Sequence, residues 1–208
     1  MSSSSKKVLF ADYIFYVTKN VYEPAEDSLL FAENLKDRAA NTVVDIGAGC
    51  GILGIVAAEK ADKVLAIDVN PYAVRCAREN AELNHVEHKM SLVQGDLFQP
   101  IGVGEKFDLI LFNAPYLPSE TFEEKSWLGR AWAGGVSGRN LIDRFISEAP
   151  DYLGSSGEIL LMQSTLSDVE KTMRRFEDRG LTTDVIAREN LPFFETIFLV
   201  KAKLANKK

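Results

Sequence analysis

The sequence predicts an α/β fold with a mostly parallel β-sheet and helices on both faces of that sheet. Two observations support this prediction. From residue 42 onward, short runs rich in Val, Ile and Leu alternate with helical patterns, as in buried parallel sheets. Near the end of the chain, the strand-like runs 181–190 and 193–202 follow each other without a helix between them, which predicts that the last strand runs antiparallel.

Local sequence patterns predict where the helices and strands begin and end. A glycine turn opens the first core helix, a proline occupies the first position of the second, and a glycine caps the last. The segment 9–20, rich in aromatic residues and β-formers, predicts a strand or hairpin that covers the site or mediates association. The predicted core strands span 41–47, 63–69, 91–97, 107–113, 157–164, 181–190 and 193–202, and the predicted helices span 51–61, 71–83, 138–153 and 166–180.

Length and composition limit the class of protein. The 208 residues suit one domain, and no apolar run approaches the roughly 18 residues of a membrane span. The polar segment 1–7 does not resemble a signal peptide, and two cysteines cannot form a disulfide framework or a cysteine-rich zinc site. The net charge of −6 argues against a protein that binds nucleic acid without a partner. We therefore predict a cytoplasmic protein without a membrane partner.

Acidic residues accompany the ends of three successive predicted strands. Asp45 precedes a glycine turn at 47–51, Asp68 ends the next strand, and Asp96 follows the third. Ligands of such sheets bind beyond the carboxyl ends of the strands. The glycine spacing differs from the dinucleotide pattern G-x-G-x-x-G, and three carboxylates would repel a pyrophosphate. The pattern therefore favours a cationic ligand.

S-Adenosylmethionine has the features that these acids predict. Asp68 can accept bonds from both ribose hydroxyls, Asp96 can accept from the adenine amine, and Asp45 is placed to attract the charged amino-acid group. A capping or turn role is the commoner explanation of any one Asp by itself. All three in this order favour the cofactor.

The strand 107–113 ends in the tetrapeptide Asn113-Ala114-Pro115-Tyr116, which is either a simple turn or an amino-acceptor site. An amide nitrogen is a poor nucleophile because its lone pair is delocalised. The side-chain oxygen of Asn113 and the main-chain oxygen of Ala114 can each accept one N–H bond and turn the lone pair toward a methyl donor. Pro115 keeps Ala114 out of helical geometry, and Tyr116 can pack against a flat acceptor group.

Three stretches of the chain resemble class I S-adenosylmethionine-dependent methyltransferases of the HemK type, which methylate glutamine N5. They are VYEPAEDSLL (21–30), VVDIGAGCG to IDVNP (43–71), and FNAPYLP through AWAGGVSGRNLIDRF (112–145). The resemblance is closest to the short archaeal and eukaryotic branch that acts on peptide-chain release factors. It implies a seven-stranded Rossmann-like sheet in one methyltransferase domain, 1–208, with a cover segment and helix at 1–40 and the catalytic core at 41–208. The implied acceptor is the glutamine of the release factor's Gly-Gly-Gln loop.

The resemblance also implies site residues and a partner. In relatives the segment 21–30 lies over the cofactor; Asp27 matches their Asp, and Ser28 replaces their Thr. The family tetrapeptide is usually Asn-Pro-Pro-Tyr, so Ala114 implies lower pre-organisation rather than inactivity. Relatives often work with a small zinc-binding activator that adds a strand to the sheet edge. The predicted cofactor-binding residues are Tyr22, Pro24, Asp27, Ser28, Asp45, Gly47, Ala48, Gly49, Gly51, Asp68, Val69, Asp96, Leu97 and Asn113.

Alternative functions remain open. N6-adenine methyltransferases of DNA and RNA carry the same type of tetrapeptide, although this chain shows neither an extra recognition domain nor a basic channel. A protein that binds the cofactor or a partner without turnover is the second alternative, and the presence of both halves of the site argues against it.

Other conspicuous residues have structural interpretations. His85, Glu87 and His88 lie in a turn without further ligands, so no metal is predicted. Cys50 lacks a base and is expected to pack against the glycine turn. The segment with Trp127, Trp132 and the Gly134-Gly135 pair predicts a substrate-binding flap in which Trp132 contacts the substrate; core packing by Trp132 is the alternative.

Overall fold

The computed structural model describes residues 5–120 and 125–205. Within these residues, strands and helices alternate through most of the chain. The strands are β1 (Lys6–Phe10), β2 (Tyr13–Val17), β3 (Thr42–Ile46), β4 (Lys63–Asp68), β5 (Met90–Gln94), β6 (Phe107–Asn113), β7 (Leu153–Ser164), β8 (Leu181–Asn190) and β9 (Thr196–Leu204). The helices are α1 (Glu26–Glu33), α2 (Ile52–Ala57), α3 (Pro71–Leu83), α4 (Trp127–Arg130), α5 (Asn140–Glu148) and α6 (Val169–Asp178).

Seven strands form one sheet in the order β5-β4-β3-β6-β7-β9-β8. Strands β3 to β7 pair in parallel, and β9 is antiparallel to both of its neighbours, β7 and β8. The last strand thus inserts between β7 and β8, which a direct hairpin connection from β8 permits. The predicted sheet with an antiparallel last strand is confirmed.

Helices cover both faces of the sheet. Side chains alternate along β6, so that Leu109 and Leu111 pack in one core cluster and Ile110 and Phe112 in the other. The first cluster includes residues of α1, α2 and α3, and the second includes residues of α5 and α6. The central strands are therefore buried on both faces, which explains their continuous apolar sequences.

Several predicted boundaries differ from the structure, and two of them have clear local reasons. The helix predicted at 138–153 ends at Glu148 and continues as a 3₁₀ turn, because Pro150 cannot donate a helical hydrogen bond. The strand predicted at 193–202 begins only at Thr196, because Phe193 and Phe194 adopt left-handed backbone angles that do not fit a strand.

Strands β1 and β2 form the predicted hairpin, and it packs against α3. Asn84 donates to and accepts from the main chain of Ile14, and the Asn80 side chain accepts from Tyr16 N at 2.8 Å. The hairpin is therefore held beside the helix, and the segment that follows it reaches the cavity described below. Among the described residues, no helix has the length and apolar character needed to cross a membrane.

Candidate active site

A cavity of about 430 Å³ opens at the carboxyl ends of β3, β4 and β6. This volume is in the range of small-molecule sites. Most of the predicted site residues contribute to its wall. Those that line it are Tyr22, Pro24, Asp27, Ser28, Gly47, Ala48, Gly49, Asp68, Val69, Asp96, Leu97, Asn113, Ala114, Pro115, Tyr116 and Trp132.

Asp68 ties the glycine turn to the end of β4. Its two carboxylate oxygens accept from Gly49 N and Asn70 N, each at 2.8 Å. Burial raises the pKa of Asp68, and these two bonds act in the opposite direction. The left-handed angles of Gly47 and Gly49 allow the turn to follow this path, so both residues bring main-chain atoms to the cavity wall.

Asp45 and Gly51 are the predicted residues that do not line the cavity. Asp45 is 1% exposed, and its Oδ2 accepts from Gly54 N at 2.9 Å, while Oδ1 has no partner among the described residues. Burial raises the pKa of Asp45 to about 7. The wall at this point belongs to the glycine turn, so Asp45 lies behind it and its predicted position next to a charged ligand group is corrected. Gly51 is instead the N-cap residue of α2, with φ 89°.

Asp96 lies at the rim of the cavity in an ion pair that the sequence did not suggest. Arg144 on α5 donates to both carboxylate oxygens, at 3.3 Å and 3.0 Å. The two side chains are 44% and 38% exposed, so solvent screens the pair. An adenine amine at Asp96 would share the carboxylate with this guanidinium.

Asn113 lies at the end of β6, and its side-chain amide is hydrogen-bonded through the nitrogen. Its Nδ2 donates to Asp27 Oδ2 at 3.2 Å and to Ser28 Oγ at 3.1 Å. Its Oδ1 is buried and has no partner among the described residues. Buried polar atoms are nearly always paired, so an acceptor left open at a cavity wall indicates a ligand that donates an N–H or O–H.

Two tyrosines surround the same carboxylate. The hydroxyls of Tyr22 and Tyr116 donate to Asp27 Oδ1 and Oδ2 respectively, each at 3.4 Å. Burial raises the pKa of both phenols, and the charges of Asp27 and Glu195 raise it further. Both phenols therefore remain protonated donors. Glu195 was not predicted from the sequence, because nothing local marks a residue 79 positions after Tyr116 as its neighbour.

The segment after the tetrapeptide folds back over the cavity. Leu117 N donates to Trp132 O at 3.0 Å, and Gly134 N donates to Leu117 O at 2.8 Å. Trp127 and Trp132 are half-buried and line the cavity, with the Arg130 guanidinium 4.9 Å from the Trp127 ring centroid. The segment therefore lies at the cavity, and contact of Trp132 with a substrate stays a prediction. Residues 121–124 of the segment lie outside the described residues.

The remaining candidates are the histidine turn and Cys50. His85, Glu87 and His88 are exposed, and no group of three or more His, Cys, Asp or Glu in the described part of the chain could hold a metal ion. Cys50 belongs to the glycine turn and lines the cavity, but it is buried, and burial raises the pKa of its thiol. A raised pKa makes a thiol a poorer nucleophile at neutral pH.

This sheet order, with a glycine turn and a strand-end Asn-Ala-Pro-Tyr around one cavity, defines a class I methyltransferase. The family model of the methyltransferase small domain matches residues 19–127. The chain belongs to the family of HemK-type protein N5-glutamine methyltransferases. It is 43% identical over 181 residues to a provisionally named protein N5-glutamine methyltransferase of Methanocaldococcus jannaschii, a match that covers 86% of this chain and 90% of the relative.

Other known proteins agree with this placement. The chain is 34% identical over 175 residues to the methyltransferase HEMK2 of Mus musculus, covering 78% of this chain and 80% of that protein. The solved complex of E. cuniculi Mtq2 with Trm112, described as responsible for the methylation of eRF1, matches with a TM-score of 0.68. It covers 89% of this chain and 99% of the solved chain at 22% identity, and it shows the shared fold.

Proposed function

We propose that this enzyme transfers a methyl group from S-adenosylmethionine to the side-chain amide of the glutamine in the Gly-Gly-Gln loop of a release factor. The observation that carries the proposal is the one-sided anchoring of Asn113. Because Asp27 and Ser28 hold Nδ2, the unpaired Oδ1 is the atom left for the substrate. A primary amide brings the N–H donor that this atom lacks.

The acceptor amide needs two acceptors, and the chain offers both. Asn113 Oδ1 accepts one N–H and the main-chain oxygen of Ala114 accepts the other, which turns the nitrogen lone pair toward the methyl donor. Tyr116 packs against the flat amide. The extra proton leaves the cationic product after transfer, so no general base is needed beforehand. When bound, S-adenosylmethionine supplies the methyl group and is released as S-adenosylhomocysteine; the proposal involves no metal.

Asp68, Asp96 and the segment 22–28 are the groups proposed to hold the cofactor. Asp68 projects from the end of β4, where it can accept from ribose hydroxyls, and Asp96 at the rim can accept from the adenine amine. Asp27 is buried in the wall beside the acceptor site and supplies the negative charge that a sulfonium and an ammonium require.

Relatives support the choice of acceptor and suggest a partner. The names of the curated relatives include release factor glutamine methyltransferase, and the solved structure of Mtq2 is a complex with Trm112. We propose that a small zinc-binding activator adds a strand at an edge of the sheet, where β5 and β8 are the outermost strands. Action on a release factor would take place in the cytoplasm.

A transfer assay with labelled S-adenosylmethionine tests this function. It offers a purified release factor, and adenine-containing DNA and RNA in parallel, each with and without a candidate activator. We expect label on the release factor, and loss of label when the loop glutamine is replaced or when the enzyme carries Asn113→Ala. Label on nucleic acid alone would favour adenine methylation. Cofactor binding without label on any acceptor would contradict turnover.

A further inference from the structure

The loop between β8 and β9, Leu191–Glu195, exposes two aromatic side chains. Leu191 N donates to Glu195 O at 2.8 Å and closes the loop. Phe193 and Phe194 are 97% and 103% exposed. The chain has 12 phenylalanines, and among those in the described residues these two alone are exposed. Adjacent exposed aromatic residues on a soluble protein indicate a contact surface.

The backbone of this loop is unfavourable for the residues that it carries. Phe193 has φ 63° and Phe194 has φ 65°, in the left-handed region that glycine or asparagine normally occupies. Folding stability alone favours a small or polar residue at each position. Phe193 and Phe194 bury nothing within the described residues, so no packing there offsets this backbone strain.

The loop lies on the acceptor side of the cavity. Strand β8 runs parallel to β6 and β7, so its end reaches the edge of the sheet at which Asn113 lies. Ile197 pairs with Ser164 at the end of β7, which places Glu195 two residues beyond that edge. The nucleotide-binding turn belongs to β3 and β4, on the other side of β6. The charge of Glu195 also acts on the hydroxyls of Tyr22 and Tyr116, in agreement with this position.

Glu195 adds a hydrogen-bond acceptor to the aromatic pair. Its Oε1 is buried and has no partner among the described residues, as is the case for Asn113 Oδ1. The loop from Asn190 to Glu195 contains no cationic residue. A phosphodiester backbone would meet a carboxylate here without a Lys or Arg of the loop to bind it. A polypeptide has apolar side chains that can pack against Phe193 and Phe194, and main-chain N–H groups that can donate to Glu195.

We propose that the β8–β9 loop docks the polypeptide segment that flanks the methyl acceptor. Phe193 and Phe194 pack against apolar side chains of the substrate protein, and Glu195 Oε1 accepts an N–H from the segment that enters the cavity. This inference rests on the proposed protein substrate and adds to it a surface that selects intact protein over an isolated amide.

Steady-state kinetics with two acceptors test the proposal. The acceptors are the intact release factor and a short peptide that contains only the Gly-Gly-Gln sequence. The variants are the double substitution Phe193→Ser with Phe194→Ser, Glu195→Gln, and the control Val103→Ser, which removes an equally exposed apolar side chain before β6. We expect the double variant to raise KM for the intact protein by about tenfold. Its kcat, its cofactor Kd and its KM for the peptide should stay within about twofold of the wild type.

Glu195→Gln should raise KM for the intact protein severalfold, and Val103→Ser should leave it unchanged. An unchanged KM in the double variant, with an active wild type, overturns the docking surface and leaves the proposed function intact. A wild type that labels no release factor overturns both. If the wild type labels nucleic acid and the double variant labels it less, the phenylalanines stack on bases. That result also overturns the proposal.

Discussion

The side-chain amide of Asn113 donates to the carboxylate of Asp27 across 3.2 Å, and this bond joins the end of β6 to the first turn of α1. The two residues are 86 positions apart in the chain. The bond holds the nitrogen of the Asn113 amide and leaves Oδ1 without a partner among the described residues. In the proposed function, Asp27 would therefore position the acceptor site in addition to its proposed role near the cofactor.

Replacing Asp27 should reduce the rate of methyl transfer more than it reduces stability. Asp27→Ala removes one of the two acceptors of the Asn113 amide and the acceptor that both tyrosine hydroxyls share. We expect kcat to fall by about 10²-fold, as for the loss of an oriented polar group at a reacting centre. Single-turnover rates at saturating cofactor measure this effect without a contribution from cofactor affinity.

Ser28→Thr is the matched control for this pair. It keeps the hydroxyl that accepts from Asn113, so its rate should stay within about twofold of the wild type. Ser28→Ala should lie between the two, because Asp27 still holds the amide. A similar rate for Asp27→Ala and Ser28→Thr would show that the orientation of Asn113 does not limit transfer.

Asp45 should make both folding stability and cofactor affinity depend on pH. Its folded pKa is about 7, raised from an ordinary value of 3.8, so the folded state holds the proton more tightly than the unfolded chain. The Asp45 contribution to stability therefore falls as pH rises from about 4 to about 7, and is constant above that. A cationic cofactor favours the ionised carboxylate, so its affinity should rise as pH passes through 7.

Asp45→Asn separates these two effects. We expect the variant to be more stable than the wild type at pH 8, by about 4 kcal/mol, and to show little difference at pH 4. Its cofactor affinity should be lower at pH 8 and nearly independent of pH. Denaturant unfolding and calorimetric titration at several pH values measure both quantities. Equal pH dependence in wild type and variant would exclude Asp45 as the titrating group.

Restoring the family proline at position 114 should raise activity. Ala114 is buried, and its proposed function is a main-chain carbonyl that proline also supplies. The ring restricts the unfolded and unliganded backbone, an effect of about 0.4–1 kcal/mol, so kcat of Ala114→Pro should rise by about twofold to fivefold. The substitution removes only a long main-chain bond, from Ala114 N to Met162 O at 3.4 Å.

Ala114→Gly is the opposite control and should lower kcat, because glycine loosens the same carbonyl. If proline and glycine lower kcat equally, the bond to Met162 O matters more than rigidity of the tetrapeptide. Thermal unfolding of both variants distinguishes a local effect from partial loss of the fold.

Gly138 should be intolerant of a side chain because it supports Tyr116. Its φ is +69°, and a methyl group there would overlap the main-chain oxygen of Tyr116. We expect Gly138→Ala to lower the free energy of unfolding by about 3 kcal/mol and to raise KM for the acceptor, since Tyr116 must move.

Gly180→Ala isolates the backbone part of that cost. Gly180 has φ +81° and nothing within 4 Å of the added methyl group, so only left-handed strain of about 1–2 kcal/mol remains. Its acceptor KM should be unchanged. If Gly138→Ala and Gly180→Ala lose equal stability, the structure relieves the overlap with Tyr116 without a measurable cost in stability.

Several site residues were predictable because strand ends are encoded locally. Apolar runs with glycine, proline or aspartate after them mark where β3, β4 and β6 end, and parallel strands bring those ends to one edge. Asp68 and Asn113 reach the cavity for this reason. Asp45 was misplaced because side chains alternate along β3, and Asp45 lies on the same face as Val43, which α2 covers.

The α/β class, the glycine turn and the position of the Asn-Ala-Pro-Tyr tetrapeptide at a strand end were predictable from the sequence, since each depends on residues close together in the chain. The tertiary structure decided which partners those residues meet: Asp27 with Asn113, Arg144 with Asp96, and the β8–β9 loop with the acceptor side of the cavity. These contacts depend on strand register and helix packing. Register and packing depend on burial across the whole core, so no short stretch of sequence is enough to predict them.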